Sequence, residues 1–203
     1  MKSFTVALCV VAALALSSCS KQPKAPAPLP HETAPANFKV NFDTTKGPII
    51  VEVSRDLAPL GADRLYNLVK AKFFDGARFF RVVPGFVVQF GMAADPDVTA
   101  MWDQPIKDDP VLTSNRRGTV TFATGGPDTR TTQLFINLGS NERLDAQHFS
   151  PFGKVVEGMD NVDAIYAGDA QNPQQDAIRT QGNAYLTKQF PHLDYIKTAT
   201  IIQ

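Results

Sequence analysis

From Phe38 to Ile202 the chain never stays apolar for long, and that rhythm constrains its fold more than any other feature. Short runs rich in Val, Ile, Phe and Thr are cut by Gly, Pro, Asn and Asp, the pattern of strands joined by turns. Phe38–Asp43 and Pro48–Val53 flank Thr44-Thr45-Lys46-Gly47 and predict a hairpin. Further strands are expected over Arg78–Val83, Phe86–Phe90, Gly118–Ala123, Gln133–Leu138, Phe152–Val156 and Asp194–Ile202. Helical spacing of Leu60, Leu65, Leu68 and Val69 predicts an amphipathic helix within Ala58–Lys72. Shorter helices are expected over Met159–Tyr166 and over Asn183–Phe190, the latter ended by Pro191. Many short strands and few helices give a mainly β chain, an antiparallel barrel or sandwich. Apolar strands at both ends favour closure, which removes exposed edges.

The first 36 residues read differently. Lys2 precedes an apolar run, Phe4–Leu16, that suits the core of a secretory signal and is too short to cross a bilayer comfortably. It ends in Leu16-Ser17-Ser18-Cys19, which looks like a bacterial lipobox, so residues 1–18 are expected to be a lipoprotein signal peptide and Cys19 the lipidated residue. Ser20 follows where some bacteria place a retention aspartate. The expected location is therefore a membrane anchor facing the periplasm, on the outer membrane, or the cell exterior. Prolines at 23, 26, 28, 30 and 35 preclude helix and ladder, so residues 19–36 read as a lipidated cysteine and a semi-rigid polyproline stalk, with His31 in it. The remaining 37–203 form one domain, large enough for a single core.

Composition narrows the chemistry. Lys plus Arg and Asp plus Glu number 20 each, a formal net charge of zero that offers no footprint for nucleic acid. The two cysteines, Cys9 and Cys19, both lie near the start, which excludes a disulfide framework or a cysteine-based zinc site in the domain. The acidic stretch Asp95–Asp109 lacks EF-hand spacing and reads as a solvated loop.

Three segments carry the functional signal. The first, Phe79-Phe80-Arg81-Val82-Val83-Pro84-Gly85-Phe86-Val87-Val88-Gln89, sets an arginine inside an apolar strand. A desolvated guanidinium is costly unless hydrogen-bonded, although it can also snorkel to the surface. The second runs from Thr121 to Pro127 and from Thr131 to Asn137, with Gln133 and Phe135 on one strand face by the two-residue period. The third is Leu144-Asp145-Ala146-Gln147-His148-Phe149-Ser150-Pro151-Phe152-Gly153-Lys154-Val155-Val156-Glu157-Gly158-Met159.

In this order and spacing the three segments resemble the cyclophilin family of peptidyl-prolyl cis–trans isomerases, over roughly residues 38–202. The resemblance implies a closed eight-stranded antiparallel barrel capped by two or three helices, with an external groove for proline-containing, unfolded or flexible polypeptides. Carried over by position, Arg81 matches the catalytic arginine and Gln89 its positioning partner. Phe86, Val87, Phe135, Leu144 and His148 match the proline pocket; Gln133 matches a glutamine that holds substrate backbone; and Ala123, Thr124 and Gly125 match the stretch facing residues before the proline. Phe80 replaces a histidine common in the family, Phe90 a glycine, Thr124 an asparagine, and Arg143 a tryptophan that helps bind cyclosporin, which implies weak inhibition by that compound.

The residue types suit the reaction. Rotation about an amide meets a barrier of about 18–20 kcal/mol because the nitrogen lone pair is delocalised. At the twisted midpoint that lone pair returns to nitrogen, and a donor aimed at it binds the twisted state better than either planar isomer. Arg81 is the expected donor, being always charged and rich in N–H groups. No bond breaks, so no nucleophile, acid–base pair, metal or cofactor is expected. His148 then reads as a pocket wall or a satisfied structural histidine, and His192 as a surface residue. A monomeric folding assistant for exported proteins is the expected role; the alternatives are a proline-peptide-binding module with little turnover and a structural envelope lipoprotein.

Overall fold

The hairpin at the start of the domain sets the pattern. In the computed structural model, which describes residues 29–202, strand β1 (Asn37–Thr44) pairs with β2 (Gly47–Ser54) in unbroken antiparallel register, Thr44 opposite Gly47. Phe38, Val40, Phe42 and Thr44 are buried while Lys39, Asn41 and Asp43 are less so, the alternation expected of a half-buried strand. The expected signal run Phe4–Leu16, the expected lipidated Cys19 and Pro23, Pro26 and Pro28 of the expected stalk lie outside the described residues.

Six further strands follow: β3 (Arg81–Val83), β4 (Val87–Phe90), β5 (Thr119–Phe122), β6 (Leu134–Asn137), β7 (Pro151–Glu157) and β8 (Ile196–Ile202). They form one eight-stranded antiparallel sheet in the order β3-β4-β6-β5-β7-β2-β1-β8. The sheet curls around a core that includes Val40, Phe42, Val51, Val53, Val88, Phe90, Val120, Phe122, Leu134 and Ile136. Phe90 meets Phe42, Phe74 and Phe79 edge-to-face at ring separations of 5.3–6.0 Å.

The expected closure is not complete. The sheet is an open, curled half-barrel: its end strands β3 and β8 do not pair, and the seam is held by an isolated Arg78–Tyr195 bridge with Phe79 N–H on the Asp194 carbonyl at 3.0 Å. The chain before β3 is the reason. Gly76 takes a positive φ of 78°, so residues 76–80 run irregularly past β8 and regular strand begins only at Arg81.

Helix α1 (Pro59–Lys70) opens with Pro at its first turn and buries Leu65, Leu68 and Val69, close to the expected Ala58–Lys72. Its first amides, Leu60 and Gly61, donate to the buried Asp109 carboxylate at 3.1 and 2.9 Å. Helix α2 (Pro96–Trp102) corrects the loop expected over Asp95–Asp109. Asp95 accepts from the Asp97 amide at 2.9 Å and Pro96 follows, a capped start that outweighs the acidic composition. A 3-10 turn covers Glu142–Gln147, and α3 (Met159–Asp163) stops short of the expected Tyr166. Helix α4 (Gln175–Gln189) begins well before the expected Asn183, with a kink at Gly182. A Cβ there would lie 2.4 Å from the Ala94 carbonyl oxygen, so the kink lets α4 approach the start of α2. Ile178 and Leu186 of α4 pack with Phe80, Met92 and Leu193 in a second small core.

Residues 29–36 also depart from the stalk reading. Leu29 and Ala34 are buried against the main core; Glu32 and Asn67 exchange hydrogen bonds at 3.0 and 2.7 Å; and the Ala34 amide donates to Asp63 at 2.8 Å. Prolines forbid ladders but not docking by side chains and the few free backbone groups, and that is how this segment lies on α1.

Candidate active site

Sheet register gathers the polar row. Val83-Pro84-Gly85-Phe86 is a tight turn in which the Phe86 amide donates to the Val83 carbonyl at 2.9 Å and Gly85 takes a φ of 72°, the Pro-Gly arrangement of a type II turn. That turn sets Arg81 directly opposite Gln89; Gln89 in turn faces Phe135 on β6, and Phe135 faces Thr121 on β5. Val82, Val88, Ile136 and Val120 point into the core, so the alternate residues Arg81, Gln89, Phe135 and Thr121 share the opposite face.

On that face a chain of hydrogen bonds runs inward from the guanidinium. Arg81 Nη1 donates to Gln89 Oε1 at 3.1 Å, and Gln89 Nε2 donates to Gln133 Oε1 at 2.7 Å. Gln133 Nε2 donates to Gln175 Oε1 at 3.3 Å, while Arg81 Nε donates to Gln171 Oε1 at 2.9 Å. Gln89 and Gln133 are buried and satisfied by this chain. Burial lowers the Arg81 pKa from its ordinary value, with no carboxylate among the causes, and the group keeps its charge.

Beside the row lies an apolar pocket of about 160 Å³ lined by Arg81, Phe86, Val87, Gln89, Ala123, Thr124, Phe135, Leu144 and Phe149. Val87, Phe135 and Leu144 form its buried floor, with Phe86, Ala123 and Phe149 packed on them. The Phe135 and Phe149 rings meet edge-to-face at 5.7 Å, and the Arg81 guanidinium carbon stands 5.6 Å from the Phe86 centroid. A polar brace sits behind: Asp145 accepts from Ser114 Oγ, the Asn115 amide and Asn115 Nδ2 at 2.5–2.9 Å, and Asn115 Nδ2 also donates to the Phe149 carbonyl at 2.8 Å. An adjoining depression of about 220 Å³ is walled by Ala123, Thr124, Gly125, Thr129, Thr131, Gln133, Gln175 and Arg179.

Residues 39–183, well over half the chain, match the family model described as cyclophilin type peptidyl-prolyl cis-trans isomerase/CLD. The chain belongs to the cyclophilin family. A peptidyl-prolyl cis-trans isomerase of Acinetobacter baylyi is 37% identical over 136 residues, covering 64% of this chain and 72% of that protein. The peptidyl-prolyl cis-trans isomerase-like 3 protein of Homo sapiens is 32% identical over 135 residues, covering 63% and 81%. A cyclophilin type isomerase of Cryptosporidium parvum, solved in the presence of the dipeptide Ala-Pro, shares the fold at a TM-score of 0.63 and 19% identity, covering 81% of this chain and 99% of that one. This cyclophilin is a peptidyl-prolyl cis–trans isomerase.

The structure brings Arg81, Gln89, Phe86, Val87, Ala123, Thr124, Phe135 and Leu144 around one pocket and puts Gln133 and Gly125 beside it. It does not bring His148 there. His148 closes the 3-10 turn in a left-handed conformation, φ 63°, is exposed, and lines a neighbouring depression with Thr124 and Pro127. Phe149 takes the wall instead. The signal for Phe149 was available as an apolar neighbour of the histidine; Gln171 and Gln175, in a polar stretch after Gly168, carry no local signal. Among the described residues no group of three or more His, Cys, Asp or Glu side chains is placed to hold a metal ion.

The departures from the family pattern have structural homes in this cyclophilin. Phe80 joins the small core beneath α4, and Phe90 the main core. Arg143 sets its guanidinium carbon 4.8 Å from the Phe86 centroid, so a cation lies over the outer wall of the pocket.

Proposed function

We propose that this cyclophilin isomerises Xaa–Pro bonds by seating the proline ring on Val87, Phe135 and Leu144 and donating a hydrogen bond from Arg81 to the prolyl nitrogen as the amide twists. The observation that carries the reading is a half-buried guanidinium on the rim of an apolar pocket, tied to two carboxamide oxygens. Of about five N–H groups on a guanidinium, those two are committed and the others are left to meet substrate. The ring is held while the carbonyl side swings; Ala123, Thr124, Gly125 and Gln133 line the groove where the residues before proline would run. The Cryptosporidium parvum structure solved in the presence of Ala-Pro supports a proline-containing peptide as the ligand.

Magnitudes divide the work. An acceleration of about five decades requires roughly 7 kcal/mol, and a charge-assisted hydrogen bond contributes about 1.5–3 kcal/mol. Pre-organisation in a dry site and exclusion of water from the planar amide must supply the rest. The test is Arg81→Ala in a protease-coupled assay on prolyl tetrapeptides. The expected loss is about a hundredfold in kcat/KM, the size of removing one aimed donor; turnover equal to wild type overturns the reading and favours a binding module.

The setting follows from the first residues. Phe4–Leu16 and Leu16-Ser17-Ser18-Cys19 support export, with cleavage before Cys19 and lipidation of its thiol. Residues 19–28 then give a short proline-rich tether before the packed segment. The enzyme so placed assists folding of exported proteins from a membrane anchor, on the periplasmic or outer side, as a monomer whose groove one chain completes. Labelled palmitate should enter the wild-type protein in a bacterial host and not the Cys19→Ala variant; equal labelling removes the anchor from the proposal.

A further inference from the structure

The polar chain at the groove begins and ends on one short segment. Arg81 Nε donates to Gln171 Oε1 at 2.9 Å and Gln133 Nε2 donates to Gln175 Oε1 at 3.3 Å, with Gln89 between the two. Each carboxamide turns its oxygen toward the guanidinium side and its nitrogen away, so the Arg81 charge and the amide dipoles polarise one another in one direction. Gln171 approaches from the loop and Gln89 from β4, so the guanidinium is held by two separate elements.

We propose that Gln171 is a positioning residue for Arg81, and that residues 170–175 act as a clamp on both ends of the catalytic row. This rests on the reading of Arg81 as the donor to the prolyl nitrogen. The clamp has its own supports. The Val82 amide donates to the Ala170 carbonyl at 3.0 Å, so the segment lies along the free edge of β3. The Gln174 amide donates to the Tyr185 hydroxyl at 3.2 Å, and α4, which starts at Gln175, is seated through Ile178 and Leu186 on Phe80. Phe80 immediately precedes Arg81, so the residue next to the donor is the apolar foot of its clamp.

The chemistry explains why a second anchor matters. Gln89 alone leaves a long side chain free to rotate about its terminal bonds and to follow water out of the groove, since Arg81 is only half-buried. An acceptor on Nε fixes the plane of the group, and thereby the direction of the remaining N–H bonds. A shift of that direction affects the twisted state, in which the nitrogen accepts, far more than the planar ground state, in which it does not.

The experiment compares two variants of similar shape in the intact protein. Gln171→Glu keeps an acceptor oxygen; Gln171→Leu removes it at an exposed position where the fold has little to lose. With prolyl tetrapeptides, Gln171→Leu should lower kcat about tenfold with KM unchanged, whereas Gln171→Glu should stay within about twofold of wild type. The Arg81 Nε–H resonance should be sharp in wild type and in Gln171→Glu, and broadened by solvent exchange in Gln171→Leu. Wild-type kcat and a sharp resonance in Gln171→Leu overturn the clamp while leaving Arg81 as donor, provided Arg81→Ala shows its expected loss of about a hundredfold. Full turnover by Arg81→Ala overturns the underlying reading instead.

Discussion

Arg81 and Gln89 sit directly opposite one another across the β3–β4 pair, and the guanidinium donates to the carboxamide oxygen at 3.1 Å. The Pro84-Gly85 turn fixes that register, so a backbone feature decides where the charge lies. A slip of one residue in β3 would send Arg81 toward the core face, and a slip in β4 would do the same to Gln89. Gln89 is buried and passes the bond on to Gln133, so the pair is the junction between a cation that meets solvent and a polar row that does not.

Gln89→Leu breaks that junction. It keeps the side-chain volume but strands the buried Gln133 oxygen and releases one anchor of Arg81. An unsatisfied buried acceptor costs about 1–3 kcal/mol, so the urea midpoint should fall accordingly. Isomerase kcat/KM should fall about tenfold, and the two measurements together separate this variant from a purely structural one.

Phe135→Ala removes the pocket floor. Phe135 is 4% exposed and touches Phe149 edge-to-face. Truncating a buried aromatic costs about 3–5 kcal/mol, less where neighbours collapse into the space, so stability should drop by that order. KM for prolyl peptides should rise more than kcat falls, because the ring is held by this surface in both planar and twisted states. Titration with Ala-Pro, followed by chemical shifts, gives the binding loss directly.

Much of this site was legible in the chain. The two-residue period puts Gln133 and Phe135 on one strand face, and the resemblance of the three segments singles out Arg81 and Gln89; that Arg81, Gln89 and Phe135 stand in one row follows from the pairing register of three strands, which one sequence does not state. Glutamines 171 and 175 were not legible: one reaches the row from the loop before α4 and the other from the start of α4, whose seat on Phe80 is a tertiary contact between residues far apart in sequence. His148 ends the 3-10 turn in a left-handed conformation and lines the adjoining depression, while its neighbour Phe149 lines the pocket, an arrangement set by turn geometry that the motif does not state. Full closure failed because a strand pattern in sequence does not reveal where irregular backbone such as Gly76–Phe80 interrupts a ladder. The helix after Asp95 was legible in its Asp-Pro start and was hidden by counting charges.

Arg143→Trp probes the outer wall. With Arg143 over Phe86, a large apolar macrocycle would have to cover a cation that prefers water. Cyclosporin should therefore inhibit the wild-type enzyme weakly, and the tryptophan variant should be inhibited at least tenfold more strongly, about 1.4 kcal/mol of added contact. Nanomolar inhibition of wild type in the coupled assay contradicts this account of the wall.

Trimming the amino terminus tests the docked segment. Compared with a chain starting at residue 29, one starting at 37 loses the buried Leu29 and Ala34 and the paired bonds between Glu32 and Asn67. Burial of one leucine contributes about 1.5–3 kcal/mol, and each hydrogen bond about 1 kcal/mol. The thermal midpoint should drop by several degrees, while kcat/KM stays unchanged because none of these groups touches the groove.

Acid should loosen the pocket before it affects the donor. Burial raises the Asp145 pKa, but hydrogen bonds from Ser114 and from the side chain and amide of Asn115, with the nearby Arg116, outweigh it and hold the carboxyl below its ordinary value. A carboxylate depressed in the folded state contributes stability above its unfolded pKa, about 3.9, and that contribution fades as pH falls through the lower folded value. Asp63 behaves alike: burial raises its pKa, while Arg55 and the Ala34 amide lower it further. Urea midpoints should thus be flat from neutral pH to about pH 5 and decline below about pH 4. Asp145→Asn removes part of that decline and, at neutral pH, weakens the brace that holds Leu144 and Phe149. Arg81 keeps its charge throughout, so kcat/KM should show no titration between about pH 6 and 9, and a bell-shaped profile there would require a proton transfer that this mechanism does not contain.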